Sequence, residues 1–139
     1  REGRDADIDA GAGRPWAELV DDVVASNLAL ETAWGAHNDW DATSETVGGP
    51  RPTELLPLLR QREVEIHRVD LGLGYRLDDL PADYVRRDLR LMVMLWRARK
   101  PMGLTTLPEA ALHASPARRL GWLMGRVEID GLGPAGIMG

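Results

Sequence analysis

Apolar side chains follow a helical period in several stretches of the chain, separated by polar and glycine-rich stretches. In the first stretch they recur every three or four positions, as in a helix with one buried face. The positions are Trp16, Leu19, Val20, Val23, Val24, Leu28 and Leu30. Pro15 suits a first helical position, so the pattern predicts a helix from there to about Trp34 or Ala36. Residues 37–52 are rich in Asn, Asp, Ser, Thr, Gly and Pro and are expected to form a loop.

The second predicted helix carries two polar residues on an otherwise apolar face. Thr53 suits its N-cap, and Gly72 and Gly74 are expected to end it. One row of positions three or four apart consists of Leu56, Leu59, Glu63, His67 and Leu71. The row predicts that Glu63 and His67 point toward the core. Each then needs a partner, because unpaired burial of a polar group costs about 1–3 kcal/mol.

A third helix is predicted from Tyr84 to Arg99, after a capping signal at Asp78 or Asp79 and an early proline at Pro81. Its apolar face consists of Val85, Leu89, Met92 and Trp96. Its other face carries Arg86, Arg87, Arg90 and Arg97. A solvated face is the simpler interpretation of these arginines, and an acidic partner is the alternative.

The C-terminal region offers weaker patterns. Ser115-Pro116 is a capping signal for a short helix from Ala117 to Met124, which Gly125 would end. The pattern of residues 104–112 is ambiguous and allows one short strand. Little regular structure is expected in the glycine-rich residues 127–139.

Composition narrows the classes of function. The 139 residues carry 17 Lys and Arg against 22 Asp and Glu, a formal net charge of −5, so no overall attraction to nucleic acid or anionic membrane is expected. No apolar run approaches the roughly 20 residues of a membrane-spanning helix. Cysteine is absent, which excludes disulfides, a cysteine nucleophile and thiolate ligands, and which fits a cytoplasmic protein.

The spacing of Glu63 and His67 points to metal chemistry. Residues four apart lie on one face of a helix, with Cβ atoms about 5–6 Å apart. A divalent metal is one partner for such a pair; a mutual hydrogen bond or an exposed helix edge is the alternative. Zinc takes three or four protein ligands, so two residues are not a complete site. His37 and His113 are further candidates, although their positions favour structural roles.

The block from Arg62 to Gly72 (Arg-Glu-Val-Glu-Ile-His-Arg-Val-Asp-Leu-Gly) resembles the mycothiol-dependent maleylpyruvate isomerase family, within the DinB-like metal-binding superfamily. Residues 4–13 resemble the connection into the third bundle helix of that family, and residues 48–52 resemble its loop before the fourth. Asp79-Leu80-Pro81 and Gly125-Arg126 also have counterparts.

The resemblance implies a mainly α fold. Residues 1–76 would form the C-terminal half of a DinB-like four-helix bundle, with two long helices. Residues 77–139 would contain a third helix and a small, irregular or α/β C-terminal part. In the family, two His and one Glu hold a divalent metal, usually zinc; Glu63 and His67 match two of these ligands. The third ligand would lie before Arg1, so the chain is expected to be a fragment, completed by a missing N-terminal segment or by a homodimer.

The resemblance also implies a reaction with a small-molecule substrate. The metal lowers the pKa of mycothiol, and the thiolate adds to the cis alkene of a diketo acid such as maleylpyruvate. Rotation and elimination then give the trans product. Arg126 matches a family arginine that faces the active site and suits a substrate carboxylate. Asp70 is a candidate supporting group for the metal ligands, or a surface carboxylate. A thiol S-transferase and an inactive, dimerising helical fragment are the alternative functions.

Overall fold

The computed structural model describes residues 2–46, 48–99 and 106–137. It is mainly helical, as the sequence predicts. The helices are α1 (Glu2–Gly11), α2 (Trp16–Ala36), α3 (Leu56–Asp70), α4 (Ala82–Ala98), α5 (Glu109–His113) and α6 (Pro116–Leu123). Short 3-10 helices at Thr53–Leu55 and Leu77–Asp79 lead toward α3 and α4. None of the described helices is long and apolar enough to cross a membrane.

The chain forms two compact units, residues 1–55 and residues 56–139. In the first unit, α2 has the predicted bounds, and none of its residues is buried. α1 differs from the expected connecting segment. It is a short helix whose described side chains are largely exposed. Its sequence contains no apolar stripe from which a helix could be predicted.

The predicted loop contains a small hairpin. Strands β1 (Thr43–Ser44) and β2 (Arg51–Pro52) pair antiparallel, with Thr43 opposite Pro52. The hydroxyls of Ser44 and Thr53 lie 2.7 Å apart. Two-residue strands leave too little alternation for a sequence pattern to reveal them.

The second unit has a core built by α3, α4 and α6 together with the irregular C-terminal residues. Its fully or nearly fully buried side chains include Tyr84, Met92, Leu120, Leu123 and Met124. The predicted apolar face of α4 is confirmed, since Val85, Met92 and Trp96 are buried. Ser115 accepts a hydrogen bond from the Arg118 N–H and caps α6, as its sequence predicts.

The predicted orientation of α3 is wrong. Arg62 and Ile66 are its buried residues, whereas the side chains of Glu63 and His67 are 58% and 62% exposed. The helix is rotated by about one position relative to the prediction. The physical reason is that Arg62 pairs with Asp88, a buried residue of α4.

The C-terminal region is helical and irregular. The strand allowed over residues 104–112 does not occur in 106–112, where α5 forms instead; 104 and 105 lie outside the described residues. Residues 127–137 contain no helix or strand, as predicted. Along the chain, the first compact unit ends at residue 55, whereas the sequence places a domain boundary after residue 76. That domain boundary stays a prediction.

Candidate metal site

The buried face of α3 is fixed by an ion pair with α4. Arg62 Nε donates to both carboxylate oxygens of Asp88, at 3.0 and 3.1 Å, and Arg62 Nη2 also donates to Asp88 Oδ1. The hydroxyl of Tyr84 donates to Asp88 Oδ2 at 3.2 Å. Asp88 and Tyr84 are fully buried, so this network satisfies the charges inside the core. Because Arg62 faces inward, the neighbouring Glu63 faces outward.

Glu63 and His67 face each other on the exposed side of α3. Glu63 Oε2 and His67 Nε2 are 3.4 Å apart. A direct N–H···O hydrogen bond is usually about 2.7–3.2 Å long, so this separation is long for one. Two ligands of a tetrahedral zinc, each about 2.0–2.2 Å from the ion, lie roughly 3.4 Å apart. The spacing of the two atoms therefore suits neighbouring ligands of one metal ion.

Asp70 contacts the other ring nitrogen of His67. His67 Nδ1 and Asp70 Oδ2 lie 3.0 Å apart, within hydrogen-bonding distance. Metal-binding histidines usually donate a hydrogen bond from their second ring nitrogen to a carboxylate or a carbonyl, and this bond orients the ring. Asp70 is the last residue of α3, and Gly72 turns the chain away with φ of +67°.

Arg126 reaches the same carboxylate from the C-terminal side of α6. Its Nε donates to Asp70 Oδ1 at 3.1 Å, and its Nη2 donates to Asp70 Oδ2 at 3.0 Å. Its Nη1 donates to the Met124 carbonyl at 2.8 Å. These contacts use three of the five N–H groups of the guanidinium and leave one on each terminal nitrogen.

The end of α6 places Arg126. The Arg126 N–H donates to the Gly121 carbonyl at 2.8 Å, and the Gly125 N–H donates to the Trp122 carbonyl at 3.1 Å. Gly125 has φ of +72°, a conformation that glycine adopts without strain. The two bonds form a Schellman motif, which ends the helix and fixes the direction of the next residue.

Electrostatics keep Asp70 ionised. The hydrogen bond from Arg126 is the largest cause that lowers the pKa of Asp70 below its ordinary value, and the hydrogen bond from His67 lowers it further. Partial burial opposes both effects. The carboxylate is therefore available as an acceptor at neutral pH.

A small cavity opens beside the pair, with a volume of about 130 Å³. Its lining residues are Arg62, Glu63, Ile66, His67, Met124 and Arg126. Ile66 and Met124 give it an apolar wall, and the guanidinium of Arg62 is already paired with Asp88. The cavity thus brings together the three residues that the sequence predicts for the site, and their roles as ligands and as a substrate contact stay predictions.

Glu63 and His67, the two candidate ligands, lie side by side in the described part of the chain. No group of three His, Asp or Glu side chains suited to one ion occurs in the described part of the chain. His113, in the same compact unit, does not join Glu63 and His67 in such a group, and His37 belongs to the other unit. The donor set fits a divalent metal as a partial site, with one imidazole nitrogen and one carboxylate.

Sequence reasoning missed the network that orients the site. Tyr84, Asp88 and Met92 are spaced four apart and all are fully buried. A carboxylate in such an apolar row signals a buried partner, and Arg62 is that partner.

The whole of α3 lies within a recognised family domain. The family model described as the mycothiol maleylpyruvate isomerase N-terminal domain matches residues 1–72, about half of the chain. Searches of curated proteins and of solved structures found no significant match. The match contains Glu63, His67 and Asp70, and it ends where Gly72 turns the chain after α3. The chain therefore belongs to the mycothiol maleylpyruvate isomerase N-terminal domain family, which is associated with mycothiol and metal-dependent chemistry.

Proposed function

We propose that the chain works as a mycothiol-dependent cis–trans isomerase of an unsaturated diketo acid such as maleylpyruvate. The observation that carries the proposal is the 3.4 Å separation of Glu63 Oε2 and His67 Nε2, within a domain of this family. Glu63 and His67 would hold a divalent metal, for which zinc is the best candidate given one nitrogen and one oxygen donor. Further ligands would have to join these two, since the described part of one chain offers no third His, Asp or Glu in place.

The bound metal would supply mycothiol in its thiolate form at neutral pH, and that thiolate is the nucleophile for addition to the alkene and later elimination. The residues of the chain serve binding and orientation. Arg126 keeps one N–H on each terminal nitrogen, which suits a substrate carboxylate at the mouth of the cavity. Ile66 and Met124 give the cavity an apolar wall.

A thiol S-transferase is the second candidate, and the charge of the cavity favours it. A diketo dicarboxylate presents two anionic ends, whereas both arginines that line the cavity are already paired with a carboxylate, Arg126 with the partly exposed Asp70. Arg62, the other lining arginine, is neutralised by Asp88. An uncharged electrophile would require no second cation.

Both candidates can be tested on the 139-residue chain with zinc and mycothiol. Maleylpyruvate is followed by proton NMR, in which the vinyl coupling separates the cis acid from the trans acid. 1-Chloro-2,4-dinitrobenzene, an uncharged electrophile, is followed by loss of the free thiol. Zinc-dependent conversion of maleylpyruvate that is lost in His67→Ala and retained in Asp83→Ala would support the isomerase. Turnover of the uncharged electrophile alone would support the transferase instead.

A further inference from the structure

We infer that Asp70 is a positioning residue that fixes the tautomer of His67, and that Arg126 braces Asp70 for this role. The inference rests on the proposed function, because His67 Nε2 is the atom that would bind the metal. It gives Arg126 a role beyond contact with substrate. The C-terminal part of the chain would thereby control a metal ligand located in the family domain.

The contact with Asp70 determines which nitrogen of the His67 imidazole carries the proton. An ionised carboxylate only accepts hydrogen bonds, so the contact of 3.0 Å between His67 Nδ1 and Asp70 Oδ2 requires a proton on Nδ1. In the neutral ring, Nε2 then carries the lone pair. That atom faces Glu63 Oε2, at 3.4 Å. The ring is therefore prepared to bind a metal between these two atoms without a change of tautomer.

The carboxylate of Asp70 is held in place by Arg126. Asp70 is the last residue of α3 and its side chain is 34% exposed, so packing alone does not hold it. Arg126 grips both of its oxygens in a forked pair of hydrogen bonds. Such bidentate pairs fix geometry as well as charge. Asp70 Oδ2 accepts from Arg126 Nη2 and from His67 Nδ1 at once, so the arginine orients the same oxygen that orients the ring.

Arg126 is itself held in place by two sets of hydrogen bonds. Its Nη1 is tied to the Met124 carbonyl, and its backbone is fixed by the Schellman motif at Gly125. A continuous series of directed hydrogen bonds thus leads from the end of α6 through Arg126 and Asp70 to His67. A change at Arg126 should therefore alter His67 in the absence of any substrate.

The test observes the ring directly in the metal-free chain. Long-range proton–nitrogen NMR spectra of the labelled 139-residue chain report which ring nitrogen carries the proton, at a pH where the same spectra show a neutral ring. The signals of His67 are assigned by their loss in His67→Ala. We expect the proton of His67 mainly on Nδ1 in the unaltered chain and a shift toward Nε2 in Asp70→Ala.

Two further variants and a matched control sharpen the result. Asp70→Asn retains an oxygen that accepts from Nδ1–H and should preserve the tautomer in part. Arg126→Gln leaves Asp70 present but unbraced and should give a mixture, so it also serves if Asp70→Ala does not fold. Asp83→Ala removes another exposed helical carboxylate, one that pairs with Arg87 at 3.1 Å, and should leave the His67 spectrum unchanged.

Zinc affinity, measured by competition with a chromophoric chelator, is the second readout. Asp70→Ala should weaken zinc binding by about 10–100-fold, as the loss of supporting groups around a metal usually does. The inference is overturned if Asp70→Ala keeps the tautomer of the unaltered chain, or if it binds zinc as tightly as that chain does. If the unaltered chain itself binds no zinc, the proposed function fails while the tautomer result still decides this inference.

Discussion

A single ion pair, between Arg62 and Asp88, determines which face of α3 is buried and therefore that Glu63 and His67 are exposed. We predict that Asp88→Ala destabilises the second unit by roughly 3–5 kcal/mol, because it leaves the Arg62 guanidinium buried without its partner. Urea denaturation followed by circular dichroism measures the change in the free energy of unfolding. Asp83→Ala is the control, since an exposed ion pair contributes only about 0–1 kcal/mol. A loss of under about 1 kcal/mol in Asp88→Ala would show that the pair is not a buried anchor.

The two tyrosines predict a pH dependence. Burial, together with the hydrogen bond to Glu65, raises the pKa of Tyr75 to about 12, and burial beside Asp88 raises the pKa of Tyr84 further. The unfolded chain should ionise both near pH 10. Because folding raises both values, the stabilisation is complete below about pH 10 and is lost as the pH rises above it.

Tyrosinate absorbance tests this expectation. The folded chain should show no ionisation step near pH 10, whereas the chain in urea should show both tyrosines ionising there. Circular dichroism recorded in parallel verifies that the chain remains folded. A step near pH 10 in the folded chain would contradict the burial and hydrogen bonding of these phenols.

The residues of the candidate site were largely predictable from sequence, but their surroundings were not. Glu63 and His67 stand out because two polar groups four apart interrupt an apolar row, and Gly125-Arg126 stands out through its helix-ending glycine. The exposure of Glu63 was predicted wrongly. Whether Glu63 is buried depends on which of two adjacent rows of α3 faces α4. The pairing of Arg62 with Asp88, 26 positions away along the chain, turns the row of Arg62 toward α4 and leaves Glu63 exposed.

Among the elements, α6 packs closely against the 3-10 helix at Leu77–Asp79. A Cβ added at Gly121 would lie 2.5 Å from Leu77 Cδ1 and 3.0 Å from Val127 Cγ1. We predict that Gly121→Ala destabilises the chain by about 1 kcal/mol, because overpacking of about 1–3 kcal/mol exceeds the helical gain from alanine.

Thermal and urea unfolding measure that change, with Gly35→Ala in α2 as the matched control. Gly35 has open space around its Cα, so alanine there should stabilise the helix by up to about 1 kcal/mol. Equal stabilisation by the two substitutions would mean that Leu77 and Val127 yield freely.

Helix ends were the most predictable elements, and short elements the least. Gly72 and Gly125 end α3 and α6 with positive φ, as their positions predict. α1 was missed because it has no apolar face, and α5 because five residues are too few for a period to emerge. Local sequence encodes caps and long amphipathic periods, while short helices depend on tertiary context.

The chain as a whole has an apolar helix surface that its first unit leaves uncovered. The six residues concerned have exposed fractions between 40% and 78%; they are Trp16, Leu19, Val20, Val23, Val24 and Leu28. An exposed apolar stripe of this length is typical of an association surface. The expected homodimer or completing segment stays a proposal, and a second copy is the partner available to the purified chain.

Sedimentation velocity tests self-association. We predict a dimer that Val24→Glu weakens strongly, because the substitution places a charge in the middle of the stripe. Val64→Glu, at an exposed position on α3, is the control and should leave the dimer intact. A monomer at every soluble concentration would contradict association through α2.

The most direct test of the metal site is calorimetric titration of the 139-residue chain with zinc. We predict binding that both His67→Ala and Glu63→Gln weaken by more than about 100-fold, since a direct ligand should matter at least as much as a supporting group. His113→Ala, which removes another helical histidine, should leave binding unchanged. The stoichiometry would show whether one chain or two hold each ion. Binding that is absent, or equal in the unaltered chain and His67→Ala, would contradict the assignment of Glu63 and His67 as metal ligands.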